Sequence, residues 1–346
     1  MQETEQTAAS LTERQRAVLT SIVLRYVGDC EPVGSRVLSK DLTEHISPAT
    51  IRNVMSDMEE MGLIEQPHTS AGRLPTELGY RTWVEHVMPR EPLSESDRTL
   101  LDQSIKDARD EQELLMAATL AMAEVTRLLG VAVAPVVERL RLDRLDLIPA
   151  GERQMVLIAT FGTGLVRSLT IEFEGPLKSD SFAALAREVH LLAIGHSPED
   201  LRQMLRQRLI LPSGAPEISD LAARVLEALV NLSASSRREE VILQGATQIF
   251  SQPELGERAH LTDMVQLLED RRLLAQILQE RCGEDQVVVS IGSQNRIRQM
   301  RYLSLVSRTY RLGDAVGSIG VVGPTRMPYA RLISIVDHLA QRLSQG

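Results

Sequence analysis

PVGSRVLSKDLTEHISPATIRNVMSDMEEMGLIEQPHTSAGRLPTELGYR, residues 32–81, is the stretch whose reading decides the fold. Ser47 followed by Pro48 predicts a helix start, because a serine oxygen accepts an orphaned N–H and proline at the first helical position forfeits no bond. Ile51, Val54, Met55 and Met58 then recur at i, i+3, i+4 and i+7, which makes one buried stripe. The opposite face carries Ala49, Asn53 and Ser56, flanked by Thr50, Arg52 and Asp57. That face is small and polar, so its backbone can approach another surface closely. Gly62 ends the helix. The helix before it is expected to start with Ser35 as N-cap and to bury Val37, Leu38 and Leu42, and the pair reads as a helix-turn-helix. Leu63 to Gln66 predicts a strand, Pro67 to Gly72 a loop and Arg73-Leu74 the start of a return strand, which together form a wing beside the second helix.

In duplex DNA the major groove admits a helix, arginine can bond guanine O6 and N7, and asparagine can bond adenine N6 and N7. Arg52 and Asn53 are the expected base readers. Thr50 and Ala49 are small enough to meet a thymine methyl, and Ser56 can reach base or backbone. Arg36 and Lys40 are placed for phosphate, which positions a protein without specifying sequence. Arg73, at the wing, is expected in a minor groove, and His68 is a weaker contact from the loop. The plainer alternative is a helix-turn-helix that binds protein, with Arg52 a solvated charge beside a core helix.

PVGSR, SPATIRNVMSDMEEMGLI and QPHTSAGRLPTELGYR resemble the heat-inducible transcription repressor family, HrcA. GVVGPTRMPYARLISIVDHL, near the C-terminus, resembles it again, so the likeness spans nearly the whole chain. The resemblance implies an α+β multidomain protein: an N-terminal winged helix-turn-helix, then a GAF-like α/β-sheet domain interrupted by a mostly helical inserted dimerisation domain. It also implies a homodimer on an inverted-repeat operator upstream of chaperone genes, with the chaperonin as corepressor. Relatives usually show a glutamate where this chain has Gln294, before Asn295. The rival reading is a metabolite-responsive regulator that senses a small molecule through the GAF-like domain.

The 346 residues, 43% of them hydrophobic, suffice for two or three domains. The net charge of −9 argues against a generally basic nucleic-acid coat. Even residues 1–88 carry 8 basic and 13 acidic side chains. Distribution offsets this: Arg36, Lys40, Arg52 and Arg73 belong to the proposed contact surface, whereas Glu3, Glu5, Glu13, Asp29 and Glu31 lie outside the motif. Asp41, Glu44 and Asp57 do not fit the pattern. Few phosphate contacts imply a shallow salt dependence of binding.

Cys30 and Cys282 show neither zinc-finger spacing nor a disulfide framework, which points to a reducing compartment. No apolar run reaches transmembrane length and MQETEQTAAS lacks the pattern of a signal peptide, so the expected location is the cytoplasm, away from any membrane. Ten aromatic residues disfavour single-strand or RNA binding. There is no GxSxG and no Walker loop, the seven histidines are scattered, and no enzyme, metal site or cofactor is expected.

Elsewhere, Thr12 with Gln15 predicts a capping box opening a first helix that buries Val18, Leu19, Ile22, Val23, Tyr26 and Val27. Thr76 caps a later helix carrying Tyr80, Trp83, Val84 and Val87, with Trp83 read as core. The expected domains are a winged helix at 1–88, a linker at 89–103 around PREPLSES, a GAF-like first part at 104–177, an inserted dimerisation domain at 178–284 and a GAF-like second part at 285–346. One helix is expected over about Leu100 to Leu129. Strands are expected from Arg139 (Leu140, Leu142, Leu145, Leu147), over Met155–Phe161 and Leu165–Phe173, and again over Val287–Ile291, Arg301–Tyr310 and Ala315–Val322, as one sheet split by helices. Met327–Leu343 is the closing helix. Two stripes, Ile218/Leu221/Val225/Leu229/Leu232 and Met264/Leu267/Leu268/Leu274/Ile277/Leu278, are either core or dimer seam. The turn Gly320 to Arg326 offers N–H groups and a guanidinium to an anion, or serves strand-to-helix geometry alone, the commoner case.

Overall fold

The computed structural model describes residues 11–42, 46–68, 71–135, 140–151, 153–162, 165–173, 175, 179–207, 216–235, 241–279, 286–312 and 315–345. The chain opens with α1 (Glu13–Asp29), α2 (Ser35–Asp41), α3 (Pro48–Glu60), the two-residue strands β1 (Ile64–Glu65) and β2 (Leu74–Pro75), and α4 (Glu77–Thr82), which continues as a π-helical turn over Trp83–Val87. Thr12 and Gln15 form the expected capping box on α1, and Val18, Leu19, Ile22 and Val23 are buried while Tyr26 and Val27 are half-buried. Trp83 is buried and its indole N–H donates to the Thr20 hydroxyl at 3.1 Å, which makes it a core residue.

Two helices, α5 (Glu95–Ile105) and α6 (Glu111–Thr126), replace the single helix expected over Leu100–Leu129. Asp110 caps α6 by accepting from the Glu113 N–H at 2.8 Å, and Arg127, in the left-handed region at φ 59°, stops it. The residues that follow become a strand, β3 (Leu129–Val133), buried throughout. A continuous apolar run such as Leu-Leu-Gly-Val-Ala-Val shows no period by which helix and strand can be told apart.

Beyond β3 come β4 (Leu142–Pro149), β5 (Gln154–Phe161), β6 (Leu165–Glu172), α7 (Ser179–Ala193), α8 (Pro198–Arg206), α9 (Pro216–Ser235) and β7 (Val241–Gln244). The short α10 (Ala246–Ile249), α11 (Arg258–Glu269), α12 (Arg271–Gln279), β8 (Val288–Ile291), β9 (Leu303–Leu312), β10 (Ala315–Pro324) and α13 (Tyr329–Leu343) complete the order. All strand pairs among the described residues are antiparallel.

The strands do not form one split sheet. β4, β5 and β6 make a three-stranded sheet of their own, and a separate five-stranded sheet runs β7-β3-β10-β9-β8. From the expected first part, 104–177, only β3 enters the larger sheet, and β7 comes from the stretch expected to be helical. The chain leaves the large sheet after β3 and rejoins it at β7, beside the strand it left. Alternation of apolar residues fixes which residues are strands but not which sheet they join, and here the tight β4-β5-β6 succession pairs locally.

Period two explains both faces of the large sheet. Leu129, Val131 and Val133 of β3 pack with Leu303, Leu305 and Val322 against Met264 and Leu267 of α11 and Leu274 and Leu278 of α12. Ala132 faces the other way, into a core with Val306, Ile319 and Val321 beneath α6 and α13. Gly130 also lies on that side, where a Cβ would strike the Thr119 carbonyl of α6. The smaller sheet buries Leu145, Leu157 and Phe161 against Leu185, Val189, Leu201, Val225 and Leu229 of α7–α9. Both apolar stripes thus lie in intramolecular cores, with Leu268, Ile218 and Leu221 only partly buried and the Leu232 side chain outside the described residues.

Candidate DNA interface

α3 forms where the sequence demands it. The Ser47 hydroxyl accepts the Thr50 N–H at 3.1 Å, Pro48 occupies the first turn, and Ile51, Met55 and Met58 are buried with Val54 half-buried. The far end closes through Gly62 (φ 72°), with the Leu63 N–H bonding the Met58 carbonyl at 3.0 Å. Ala49, Arg52, Asn53 and Ser56 are all exposed and share one face, being three and four residues apart. Among the described residues, Arg52 and Asn53 have no hydrogen bond or ion pair. Thr50 differs from expectation: it is half-buried and its hydroxyl lies 2.9 Å from that of Ser47, so it belongs to the cap.

α2 starts one residue earlier than expected, with Gly34 as N-cap, and Ser35 is a buried first-turn residue. Leu38 is buried, Leu42 packs partly on the core, and Val37 is 42% exposed, so Val37 is not core. The Ser39 hydroxyl donates to the Ile46 carbonyl at 2.7 Å and ties α2 to the approach of α3. Arg36 and Lys40, four residues apart, are exposed and unpaired among the described residues. Asp41, unexplained by the sequence, receives two bonds from the Arg25 guanidinium at 2.7 and 2.8 Å. That contact holds its carboxyl below the usual carboxylate range. Glu44 lies outside the described residues, and Asp57 is exposed.

The wing is bolted to both helices. β1 and β2 pair through Ile64 with Pro75 and Glu65 with Leu74, a shorter ladder than the sequence predicted. Val33 and Arg73 exchange two backbone hydrogen bonds at 2.8 and 2.9 Å, an isolated bridge that anchors the wing to the loop before α2. Gly72 is required there, because a Cβ would come within 2.5 Å of the Val33 backbone. The Arg73 side chain does not project freely toward a minor groove as expected. Its Nε donates to Glu59 of α3 at 3.0 Å, with a second nitrogen 2.8 Å from the same oxygen, so it ties the wing to α3. His68 is exposed at the loop; Thr69 and Ser70 beside it lie outside the described residues. Behind the wing, Thr76 donates to the Gly62 carbonyl at 2.6 Å and accepts from the Gly79 N–H at 3.0 Å.

The other candidate site resolves into architecture. Gly320 to Gly323 lie within β10, not in a turn, and Gly320 gives the space in which β10 meets β9, since a Cβ there would strike the Val306 carbonyl. Arg326 is committed to Glu254 and to the Val27 carbonyl, the latter at 2.6 Å, so it is not offered to an anion. Asn295 is buried, accepting from the Ser290 hydroxyl at 2.6 Å and donating to the Gly292 and Leu303 carbonyls at 3.1 and 3.2 Å. Gln294 accepts the Ile291 N–H through its side-chain oxygen at 2.9 Å, a bond that a glutamate would make equally well. Among the described residues no cluster of three or more His, Cys, Asp or Glu could hold a metal, and no helix is long and apolar enough to cross a membrane.

Two helices on a compact support, the second presenting a small polar face beside a short β-hairpin wing, define a winged helix-turn-helix DNA-binding protein of the transcription-repressor class. Residues 10–87 match the model described as the winged helix-turn-helix transcription repressor, HrcA DNA-binding, and residues 112–333 that of the HrcA protein C-terminal domain. The chain belongs to the HrcA family of heat-inducible transcription repressors. It is 32% identical over 338 residues to the heat-inducible transcription repressor HrcA of Desulforamulus reducens, covering 97% of this chain and 96% of that one. The Natranaerobius thermophilus repressor is also 32% identical, over 344 residues and 97% of each chain. A crystal structure described as that of a hypothetical protein shares the fold, with a TM-score of 0.63 at 21% identity over 97% of this chain and 98% of the other.

Proposed function

We propose that this repressor acts as a homodimer on an inverted-repeat operator upstream of chaperone genes, with the chaperonin as corepressor. Arg52 and Asn53 read base edges in the major groove, Ala49 and Ser56 fit the backbone of α3 closely to the duplex while Thr50 stays with the cap, and Arg36 and Lys40 hold phosphate. His68 contacts the duplex from the wing, and Arg73 orients that wing. The observation that carries the reading is the face of α3: Ala49, Arg52, Asn53 and Ser56 are exposed together, and the Arg52 and Asn53 side chains are uncommitted among the described residues. A two-fold protein requires a two-fold site, with one α3 in each half. The five-stranded unit is read as GAF-like. The β4–β6 unit is read as the dimerising insertion, supported by apolar side chains left exposed on it, Ile148, Val166 and Leu191. The location consistent with this activity is the cytoplasm.

Footprinting on the regions upstream of the organism's chaperone genes, with and without chaperonin, tests the proposal. Symmetric protection strengthened by chaperonin is expected. Equal affinity for operator and scrambled DNA would overturn it in favour of a protein-binding adaptor. A small molecule that stabilises the protein and alters operator affinity would favour a metabolite-responsive regulator.

A further inference from the structure

Arg326 is the prominent buried charge that the DNA interface leaves without a role. Its side chain is only 12% exposed. It bonds Glu254 on the turn Pro253–Gly256 and reaches across to Val27, in the last turn of α1. That carbonyl is among those a helix end leaves without an intrahelical partner, and a cation is favoured there. One guanidinium thus joins the winged helix, the turn before α11 and the segment between β10 and α13.

Two further contacts lie at the same junction. The Ser293 hydroxyl donates to Glu77 of α4 at 2.5 Å, beside Gly292 (φ 52°), where a Cβ would strike the Glu77 carboxylate. The Tyr80 and Tyr329 rings lie 6.0 Å apart at 58°. Apolar contact alone is non-directional, whereas a guanidinium committed on two sides sets an angle.

We propose that Arg326 is a positioning residue for DNA recognition: it locks the winged helix to the five-stranded unit in one orientation and so sets the separation of the two recognition helices. This rests on the inverted-repeat reading above. With the lock closed, binding one half-repeat places the second α3 over the other half. With it open, the second α3 samples many positions and its effective concentration at the other half-repeat falls.

The test uses the full-length chain with Arg326→Met and Glu254→Gln together, so that no buried carboxylate is left unpaired. Affinity is measured on the DNA fragment that the unaltered protein protects, on a single half-repeat, and on fragments with the spacer lengthened or shortened by two base pairs. Time-resolved anisotropy of Trp83, the single tryptophan, reports independently whether the winged helix tumbles with the rest. The expected result is a loss of about tenfold or more on the full repeat. Half-repeat binding stays close to that of the unaltered protein, penalties for altered spacing shrink, and the Trp83 decay gains a fast component. Unaltered spacing discrimination, or equal losses on half and full repeats, overturns the proposal. If the unaltered protein protects no repeat, the inverted-repeat reading fails. The anisotropy then decides the lock by itself: a single slow decay in the variant refutes it, and a fast component sustains it.

Discussion

Asn53→Ala is the substitution that best separates recognition from folding. Asn53 is exposed in the middle of α3 and has no hydrogen-bond or ion-pair partner among the described residues, so its removal breaks no such bond among them. Alanine is the better helix former, by about 0.5 kcal/mol, so thermal stability should hold or rise slightly. On DNA the change deletes a bidentate amide worth about 1–3 kcal/mol against the wrong base. At 1.4 kcal/mol per tenfold, that is roughly 5- to 150-fold per half-repeat, and the free energy counts twice on a symmetric site. The assay is competitive binding to a library of operators varied one base pair at a time, run beside thermal unfolding of the same preparation. Relaxed preference at one symmetry-related pair of positions, with unchanged or higher stability, is the expected outcome. An unchanged preference at every base would refute the assignment of Asn53 as a reader.

Gly79→Ala should unfold or loosen the winged helix, because a Cβ there would strike the Leu63 carbonyl, which is itself bonded to the Thr76 N–H; a cost above about 3 kcal/mol, read by Trp83 fluorescence on denaturation, is expected. Asn295→Ala strands three buried partners and should cost on the order of 3 kcal/mol in chemical denaturation of the full chain. Acid should destabilise the protein through carboxylates held low in the folded state: Asp97 by bonds from Arg331, Asp41 by bonds from Arg25, and Asp200 by the Ser197 backbone N–H. Their contribution is complete above the ordinary carboxylate pKa near 4 and is lost as pH falls through the lower folded values, so Asp97→Asn should flatten the acid limb of a stability-versus-pH curve.

Much of the candidate site was legible in the chain because its determinants are local. Ser47-Pro48 opens α3, the Ile51/Met55/Met58 spacing selects its buried side, and the exposed face follows from 3.6-residue geometry without reference to any other element. Thr12 with Gln15 and Thr76 with Gly79 are caps of the same kind, complete within four residues. Trp83 was readable as core from its helical period.

Partners distant in sequence were not legible. Arg73 looked like a free wing cation, and only the fold brings Glu59 beneath it. Asp41 looked like an unwanted charge near phosphate until α1 placed Arg25 against it. The apolar run after Arg127 held no period to separate strand from helix, so β3 was missed, and with it the division into two sheets. Arg326 shows the limit most plainly: glycines and a proline around a cation resemble an anion cradle in one dimension, but Val27 lies 299 residues away along the chain. Sequence by itself determined the elements, their caps and their buried faces, because those depend on neighbours within a turn or two. Tertiary structure decided sheet membership, the pairing of charges and the seat of the winged helix, because each depends on which distant segments the packed cores bring together.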